Sequence, residues 1–374
     1  MTGTRVQVEY FPLTVIEYPG RFARMPYRFK IDEPVGKGFR RIVREQLDVA
    51  LQELAAPEVH PKGVHECRKA LKRLRALIRL VGPALGKGEA RRRIKALGKI
   101  ARLLAGQRDR TVMLDTVAKL ASETGVNGAS MLAPLKAQLA HGSGDDPRLL
   151  DAKCAAKARL LLFRELRKFS RADLSKRGFA ALEAGLEKSY RHGRKSMKVA
   201  YSEPSDETFH TLRKSVQWHW RQMSLLARAW PSEFAVRVDA ARELSQILGD
   251  DHDLAMLIGA TAKAENISYD DKEAIIGLCV RKQQALRAAA EHRVERLFAE
   301  PAKAFMKRIG AYWKFARVVP MSDLAPIVVA GKGETGQRAA EAESLPAAQE
   351  VTPVPSKPRL AAKSATAAPS QRRA

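Results

Sequence analysis

The sequence is poor in cysteine and contains no uninterrupted apolar run of membrane-spanning length. Cys67, Cys154 and Cys279 are widely spaced and form no CxxC or Cys/His cluster, so neither a disulfide framework nor a zinc site is predicted. A membrane helix needs about 18 or more predominantly apolar residues. Met1–Gly20 mixes acidic residues with proline and does not resemble a secretory signal. The sequence therefore predicts a cytoplasmic protein with no membrane partner.

The common catalytic signatures are missing as well. The chain has no P-loop, Gly-rich dinucleotide loop, HExxH or GxSxG motif. We therefore predict that it is not an enzyme, with no catalytic residue, metal or cofactor. One alternative stays open, because Asp250-Asp251-His252-Asp253 could serve a metal-dependent phosphohydrolase. The competing interpretation is that Asp253 and Asp109 cap helix N-termini.

Acidic residues are scarce relative to basic ones. The 374 residues include 67 Lys and Arg against 41 Asp and Glu, a net charge of +26. The tail from Gly331 carries seven basic and four acidic residues, so +23 remains on residues 1–330. A folded domain that tolerates this self-repulsion usually binds a polyanion. Composition alone leaves nucleic acid, an anionic membrane and an inorganic phosphate chain open.

The most informative stretch runs from Val64 to Val81. At about 100° per residue on a helix, one face is basic and is formed by His65, Arg68, Lys69, Lys72, Arg75 and Arg79, with Arg73 at its edge. The opposite face is apolar and is formed by Val64, Cys67, Ala70, Leu71, Leu74, Leu77, Ile78 and Val81. A helix of this kind holds a row of cations rigidly above a packed core.

The rest of the chain also has helical periodicity, and nothing in it resembles a sheet. Helices are predicted at about 33–54, 88–105, 112–120, 129–140, 149–169, 179–200, 209–230, 234–248, 270–298 and 302–316. The helix from Val64 is expected to stop at Gly82-Pro83, and the helix after Pro231 is expected to stop at Gly249. The Ala-, Pro-, Ser- and Lys-rich tail is predicted to be disordered.

Two motifs repeat along the chain at nearly the same offset. His65-x-x-Arg68-Lys69 recurs 145 residues later as His210-x-x-Arg213-Lys214. The stretch from Leu103 to Asp109 resembles the stretch from Ile247 to Asp253, with the aspartates 144 residues apart. Two agreeing offsets predict a duplicated helical unit.

These residues resemble the CHAD family, the conserved histidine α-helical domain. The likeness covers roughly residues 27–318 and includes Arg40-Arg41-Ile42, Tyr190 to Arg194 and Leu248 to Leu254. It implies an all-α fold of two tandem four-helix bundles, related by pseudo-twofold symmetry around a basic cleft. The expected boundaries are 1–27 for an N-terminal extension, 28–172 and 173–318 for two half-repeats within one domain at 28–318, and 319–374 for the disordered tail. Some family members add a triphosphatase domain, but its ExExK strand is absent.

The resemblance further implies non-catalytic binding of inorganic polyphosphate and association with polyphosphate granules. The predicted binding residues are His65, Arg68, Lys69, Lys72, Arg73, Arg75, Arg79, Arg108, Arg191, Arg194, His210, Arg213, Lys214 and Arg221. Helical spacing places such donors about 5–6 Å apart, and arginine adds a forked pair of donors. His65 and His210 either contact the ligand or orient the basic face, and both roles remain open.

The second copy of the basic helix is expected to contribute less. Gln217, Trp218 and Trp220 occupy the positions of Lys72, Arg73 and Arg75. His219 is predicted to face the core. Nucleic acid remains the alternative ligand, as a weaker and non-specific polyanion, because the basic faces carry few aromatic residues and single-strand binders use aromatic stacking platforms.

Overall fold

The computed structural model describes residues 27–56, 59–104, 106–141 and 150–319, with the backbone alone at 106–109, 127 and 141. Residues 1–26 of the predicted extension and 320–374 of the predicted tail lie outside the described residues. Within the described ranges there is no β-strand, and the one extended pairing is an isolated bridge between Val59 and Leu150. The prediction of an all-α fold is confirmed. No helix in these ranges is long and apolar enough to cross a membrane.

The described residues form ten α-helices. They are α1 Val35–Glu53, α2 Pro61–Leu85, α3 Lys87–Leu103, α4 Gly106–His141, α5 Ala152–Phe169, α6 Ala180–Ser202, α7 Asp206–Leu226, α8 Pro231–Ala262, α9 Tyr269–Leu297 and α10 Ala302–Val318. A short 3-10 turn, Ala227–Ala229, joins α7 to α8. A kink at Gly125, where φ is 69°, divides α4 close to the turn that the sequence indicates.

Helix α2 lies at the centre of the main core. Its predicted apolar stripe is entirely buried and packs with residues of α1, α3, α6 and α7 in one cluster. The approach of α6 to α2 is so close that a Cβ at Gly185 would collide with the backbone carbonyls of Arg79 and Leu80. Glycine is therefore required there to let the two backbones meet. A smaller core lies between α4, the second half of α8 and α9.

The helix starts repeat with the spacing of the sequence motifs. Helices α6, α7 and α8 begin 145, 145 and 144 residues after α1, α2 and α3, respectively. The third pair differs in length, because α3 ends at Leu103 whereas α8 continues to Ala262.

Three predicted helix boundaries are wrong. Helix α2 passes through Pro83 and ends at Leu85, and it is followed by Gly86, whose φ of 92° favours glycine. Helix α4 begins at Gly106, so Asp109 lies inside it rather than at its N-cap. Helix α8 runs through both Gly249 and Asp253. It continues because Leu248, Asp251 and Leu254 are all buried on it, so tertiary packing outweighs the low helix propensity of one glycine.

Candidate polyanion-binding site

The two helices that carry the repeated motif cross near Ala76 and Gln222. The buried Gln222 amide donates to the Ala76 carbonyl at 3.5 Å and to the Ser189 hydroxyl at 3.0 Å. Arg73 of α2 and Arg221 of α7 are close enough at this crossing to interact electrostatically. The crossing therefore brings cations from both copies of the motif together.

Arg221 is the most confined of these cations, with an exposed fraction of 6%. Its pKa is lowered to about 10, chiefly by burial; Tyr27 opposes this effect, and Arg73, Arg213 and Arg242 add to it. Its guanidinium donates to the Gln217 carbonyl at 2.8 Å and lies 4.2 Å from the centre of the Trp220 ring, while its Nε is buried without a hydrogen-bond partner. No described carboxylate forms an ion pair with it. Burial therefore disfavours the charged form of the Arg221 guanidinium, although the group remains protonated at pH 7.

Arg73 lies at the edge of the same cluster. It donates to the Gln46 side chain at 3.3 Å and lies 5.6 Å from the centre of the Tyr27 ring. The Tyr27 hydroxyl donates to the Arg73 carbonyl at 2.7 Å. The Arg73 pKa is lowered, chiefly by burial. Tyr27, just before α1, thus covers the cluster from one side.

Arg68 of α2 and Arg213 of α7 contact equivalent positions on the helices that follow them, α3 and α8. Arg68 donates to the carbonyls of Ala101 and Leu104 at the C-terminal end of α3, at 3.0 Å each. A Cβ at Gly249 would lie 3.5 Å from the Arg213 guanidinium. Gly249 follows Leu104 by 145 residues, the offset that separates the two arginines. Both arginines therefore contact the following helix in addition to contributing positive charge.

Lys69 and Lys214 are partly neutralised by acidic residues on their own helices. Lys69 pairs with Glu66 at 3.0 Å, and Lys214 lies 3.8 Å from Glu207. Glu66 thus adds an acidic side chain beside the α2 face, which the sequence analysis described by its basic residues alone. Such exposed pairs are weak, typically about 0–1 kcal/mol, so little free energy is needed to separate them.

Further along α2 the cations become more confined. Burial lowers the pKa values of Arg75 and Arg79, the second to about 10. Arg79 donates to the Arg75 carbonyl at 3.2 Å, and its guanidinium lies 4.0 Å from the centre of the Trp218 ring. Neither has an ion pair among the described residues. Lys72 is half-buried, and His65 is exposed at the start of the row.

His210 does not point freely outward. Its ring stacks on that of His252 of α8, with centroids 4.2 Å apart. Burial and then the nearby Lys214 and Arg213 lower the His210 pKa, and the pKa of His252 falls to about 4, chiefly through burial. Both rings are therefore neutral at pH 7. His219 is buried, as the sequence predicts.

Two predicted arginines of α6 serve other contacts. Arg191 is exposed and pairs with Glu187 at 2.7 Å. Arg194 donates to the carbonyls of Ala299 and Glu300 in the turn between α9 and α10. Neither contact involves a residue of α2 or α7. The predicted Arg108 side chain lies outside the described residues.

Sequence reasoning missed Arg242, Tyr27 and His192. Arg242 of α8 belongs to the cluster around Arg221 although it lies outside the repeated motif. His192 stacks on Trp218 at 5.4 Å, and its pKa is lowered by burial and by four cations, of which Arg79 is foremost. His192 was visible only inside the Tyr190–Arg194 stretch, and no signal marked Arg242.

The carboxylates of the Asp250–Asp253 stretch point to different partners. Asp250 pairs with Lys119 at 3.0 Å, whereas the buried Asp251 pairs with Arg287 at 2.6 Å. Asp253 lines a small pocket beside Lys119 and Lys282. Among the residues with described side chains, no three His, Cys, Asp or Glu residues converge as metal ligands would. Asp250 and Asp251 therefore form ion pairs between α8 and its neighbouring helices.

Comparison with known proteins identifies a family and a similar solved structure. The model of the CHAD domain matches residues 41–262, which is more than half of the chain. No curated protein matches the sequence. Among solved structures, PptA from Streptomyces chartreusis is similar at 15% identity and a TM-score of 0.49, covering 72% of this chain and 100% of its own.

Proposed function

This chain belongs to the CHAD domain family, and from that premise we propose that it binds inorganic polyphosphate without catalysing a reaction. The observation that carries the proposal is the cluster of Arg73, Arg213, Arg221 and Arg242 at the α2–α7 crossing, where burial and neighbouring cations lower the pKa values of Arg73 and Arg221. No described carboxylate forms an ion pair with Arg221, and a chain of phosphates supplies negative charge at that position. Arginine also offers paired donors to phosphate oxygens.

The proposal includes the wider organisation that the sequence predicts. The equal spacing of helix starts supports two tandem half-repeats, 28–172 and 173–318, although each range contains five described α-helices, one more than the predicted four-helix bundle. Cytoplasmic association with polyphosphate granules is part of the same hypothesis. The other half-buried cations of α2 extend the binding surface beyond the cluster at the crossing; they are Lys69, Lys72, Arg75 and Arg79.

Nucleic acid is the competing ligand. Single-strand binders gain about 1–3 kcal/mol per base from stacking on aromatic rings. Here the Trp220 ring has two guanidiniums within 4.2 and 5.1 Å of its centre, from Arg221 and Arg242. Because cations occupy this ring, the surface at the α2–α7 crossing favours a ligand that offers phosphates alone.

A salt-dependent competition titration tests the function. Long-chain polyphosphate is expected to bind the full chain at least about tenfold more tightly than single-stranded DNA or RNA of equal charge at about 0.15 M salt. If about six phosphates are contacted, affinity should fall by about 10³ between 50 and 200 mM salt. Equal affinity for nucleic acid would instead favour the competing ligand, and a flat salt response would remove the electrostatic model.

The histidine pair predicts how stability varies with pH. His210 and His252 have folded pKa values below the ordinary 6.5, about 4 for His252, with Arg213, Lys214, Asp206 and Glu207 as charged neighbours. Depressed pKa values contribute stability above pH 6.5, and this contribution is lost as pH falls toward 4. The Tm of the ligand-free protein should therefore fall across that window.

Bound polyphosphate should reverse part of this loss, because phosphate oxygens favour the imidazolium. Melting curves at pH 7 and pH 5, with and without polyphosphate, make the comparison. His252→Gln should show a smaller pH-dependent drop than the parent. His219 is buried with a lowered pKa as well, so His219→Gln is the control for a histidine remote from the ligand. An identical ligand-induced shift at both pH values would contradict the coupling.

A further inference from the structure

A separate cavity opens beside the C-terminal end of α2. Its volume is about 550 Å³, and α2, α3, α6 and α7 all contribute to its lining. Ligand pockets for small organic molecules typically measure about 300–1,000 Å³. A phosphate chain is thin and needs no enclosed volume, so the dimensions alone point to a bulkier ligand.

The walls of this cavity are mostly apolar. They are formed by Ile78, Gly82, Pro83, Ala90, Ile94 and Trp218. Water forms few hydrogen bonds with such an apolar wall. An inorganic polyanion placed against it would lose hydration without gaining hydrogen bonds from these side chains. The cavity therefore suits a ligand with an apolar or aromatic body rather than the ligand proposed for the α2–α7 crossing.

Cations surround the same opening. Arg79, Lys87, Arg91 and Lys188 line it, and no acidic residue is among the described lining side chains. Lys87, Arg91 and Lys188 are exposed, whereas Ile94 and Trp218 are half-buried. The positive charge thus lies at the rim and the apolar surface lies deeper. A ligand must combine an uncharged body with several negative charges at one end.

The floor also offers polar recognition. The Ser189 hydroxyl accepts from the Gln222 amide at 3.0 Å, which leaves its own proton to donate into the cavity, since no described carbonyl accepts it. The His192 ring is stacked on Trp218 with planes 21° apart, and the cavity is lined by both rings. Flat rings beside a hydroxyl donor suit a planar heteroaromatic group better than an alkyl chain.

We propose that this cavity binds a nucleoside polyphosphate such as ATP. The base lies against Ile94 and Trp218, with Ser189 available to its edge, and the phosphates lie on Lys87, Arg91 and Lys188 at the rim. Arg79 belongs to both this rim and the predicted polyphosphate surface. Occupation of the cavity is therefore expected to weaken polyphosphate binding at the adjoining end of α2, and by linkage the reverse.

Binding of three probes to the full chain tests the assignment. ATP should bind at least tenfold more tightly than tripolyphosphate, which has the charge without the base, and at least tenfold more tightly than adenosine, which has the base without the charge. Equal affinity for tripolyphosphate would reduce the cavity to a part of the general cationic surface and overturn the proposal. Tighter binding of dodecyl phosphate than of ATP would assign the cavity to an alkyl chain and overturn it too.

Two variants localise the site. Gly82→Leu fills the cavity without changing charge, and the Cβ position at Gly82 has only the Ala90 Cβ nearby, at 3.5 Å. It should weaken ATP binding at least tenfold and leave polyphosphate affinity within twofold. The double variant Lys87→Glu/Arg91→Glu should also weaken ATP binding at least tenfold. The matched control, Arg164→Glu/Arg167→Glu on the exposed face of α5, should leave ATP binding within threefold.

The same titrations separate this proposal from the polyphosphate function. If the control variant lost as much ATP affinity as Lys87→Glu/Arg91→Glu, ATP binding would depend on net charge alone. That result would contradict a site in the cavity. Parent protein that binds polyphosphate but not ATP would overturn the cavity assignment only. Parent protein that binds ATP but not polyphosphate would overturn the proposed function and leave the cavity assignment standing.

Discussion

Arg221→Met is expected to raise the Tm of the ligand-free protein and to weaken polyphosphate binding by about tenfold. The pKa of Arg221 is lowered to about 10, chiefly by burial, which at about 1.4 kcal/mol per pKa unit corresponds to roughly 3 kcal/mol against the charged form in the folded state. Methionine keeps an apolar stem of similar length and removes the unfavourable free energy of burying the charge. Part of the gain is offset by loss of the hydrogen bond to the Gln217 carbonyl, about 1–2 kcal/mol.

The net gain should be about 1–2 kcal/mol, and each kcal/mol raises the Tm of a domain of this size by about 2–4 °C. Binding weakens because one cation disappears from a low-dielectric cluster, where its attraction for phosphate is strong. Calorimetry with and without polyphosphate measures both effects on one sample. Opposite signs for stability and binding are the signature of a residue retained for its ligand.

Arg164→Met on α5 is the matched control, because it removes the same charge from an exposed position. It should change the Tm by less than about 1 °C, since exposed substitutions usually stay within about 0.5 kcal/mol, and polyphosphate affinity should fall by less than threefold. If Arg221→Met lowered the Tm and left affinity unchanged, Arg221 would be a structural residue and the cluster would lose its functional interpretation.

Periodicity was sufficient to predict α2 and its two faces. Its apolar stripe recurs every three or four residues, and all eight predicted core positions of α2 are buried. A helical wheel, however, records only which residues share a face. It placed Arg221 on the basic side of α7, where it does lie, but the burial of that side follows from contacts with Tyr27 and α2. Such long-range packing leaves no local signal.

The incorrect boundaries have the same origin. Pro83 and Gly249 are local helix-breaking signals, and a single sequence gives no reason to overrule them. Both lie in helices held by tertiary contacts on either side, with Val81 and Ala84 buried in α2 and Leu248 and Leu254 buried in α8. Arg242 was missed for a related reason, because its membership in the cluster depends on where α8 crosses α7.

Asp251→Ala is expected to destabilise the protein by about 3–5 kcal/mol, the usual result when one partner of a buried ion pair is removed. The Asp251 side chain is 2% exposed and accepts from Arg287 Nε at 2.6 Å, and Arg287 also pairs with Asp206 at the start of α7. Burial raises the Asp251 pKa and the guanidinium opposes that rise. Without the carboxylate, Arg287 loses its more buried partner. Urea unfolding monitored by circular dichroism measures the loss.

Asp250→Ala provides an adjacent control. Its carboxylate is partly exposed and pairs with Lys119 at 3.0 Å, so its removal should cost less than about 1 kcal/mol. A phosphohydrolase built on this stretch requires both aspartates for activity, whereas the ion-pair model separates them by stability alone. Release of orthophosphate by the parent protein with Mg²⁺ or Mn²⁺, abolished by Asp250→Ala without unfolding, would favour the enzyme.

The double variant Asp251→Ala/Arg287→Met completes the comparison. Removing both charges leaves only the more exposed Asp206 carboxylate without its partner, so stability should recover by about 1–3 kcal/mol relative to Asp251→Ala. Recovery would identify the loss of the buried partner of Arg287 as the cause of the destabilisation. The pair joins α8 and α9 to the start of α7, the helix that carries His210, Arg213 and Arg221. The Asp251–Arg287–Asp206 network therefore helps to hold the second copy of the motif in place, and under the proposed function this acidic stretch would support the binding surface through the position of α7.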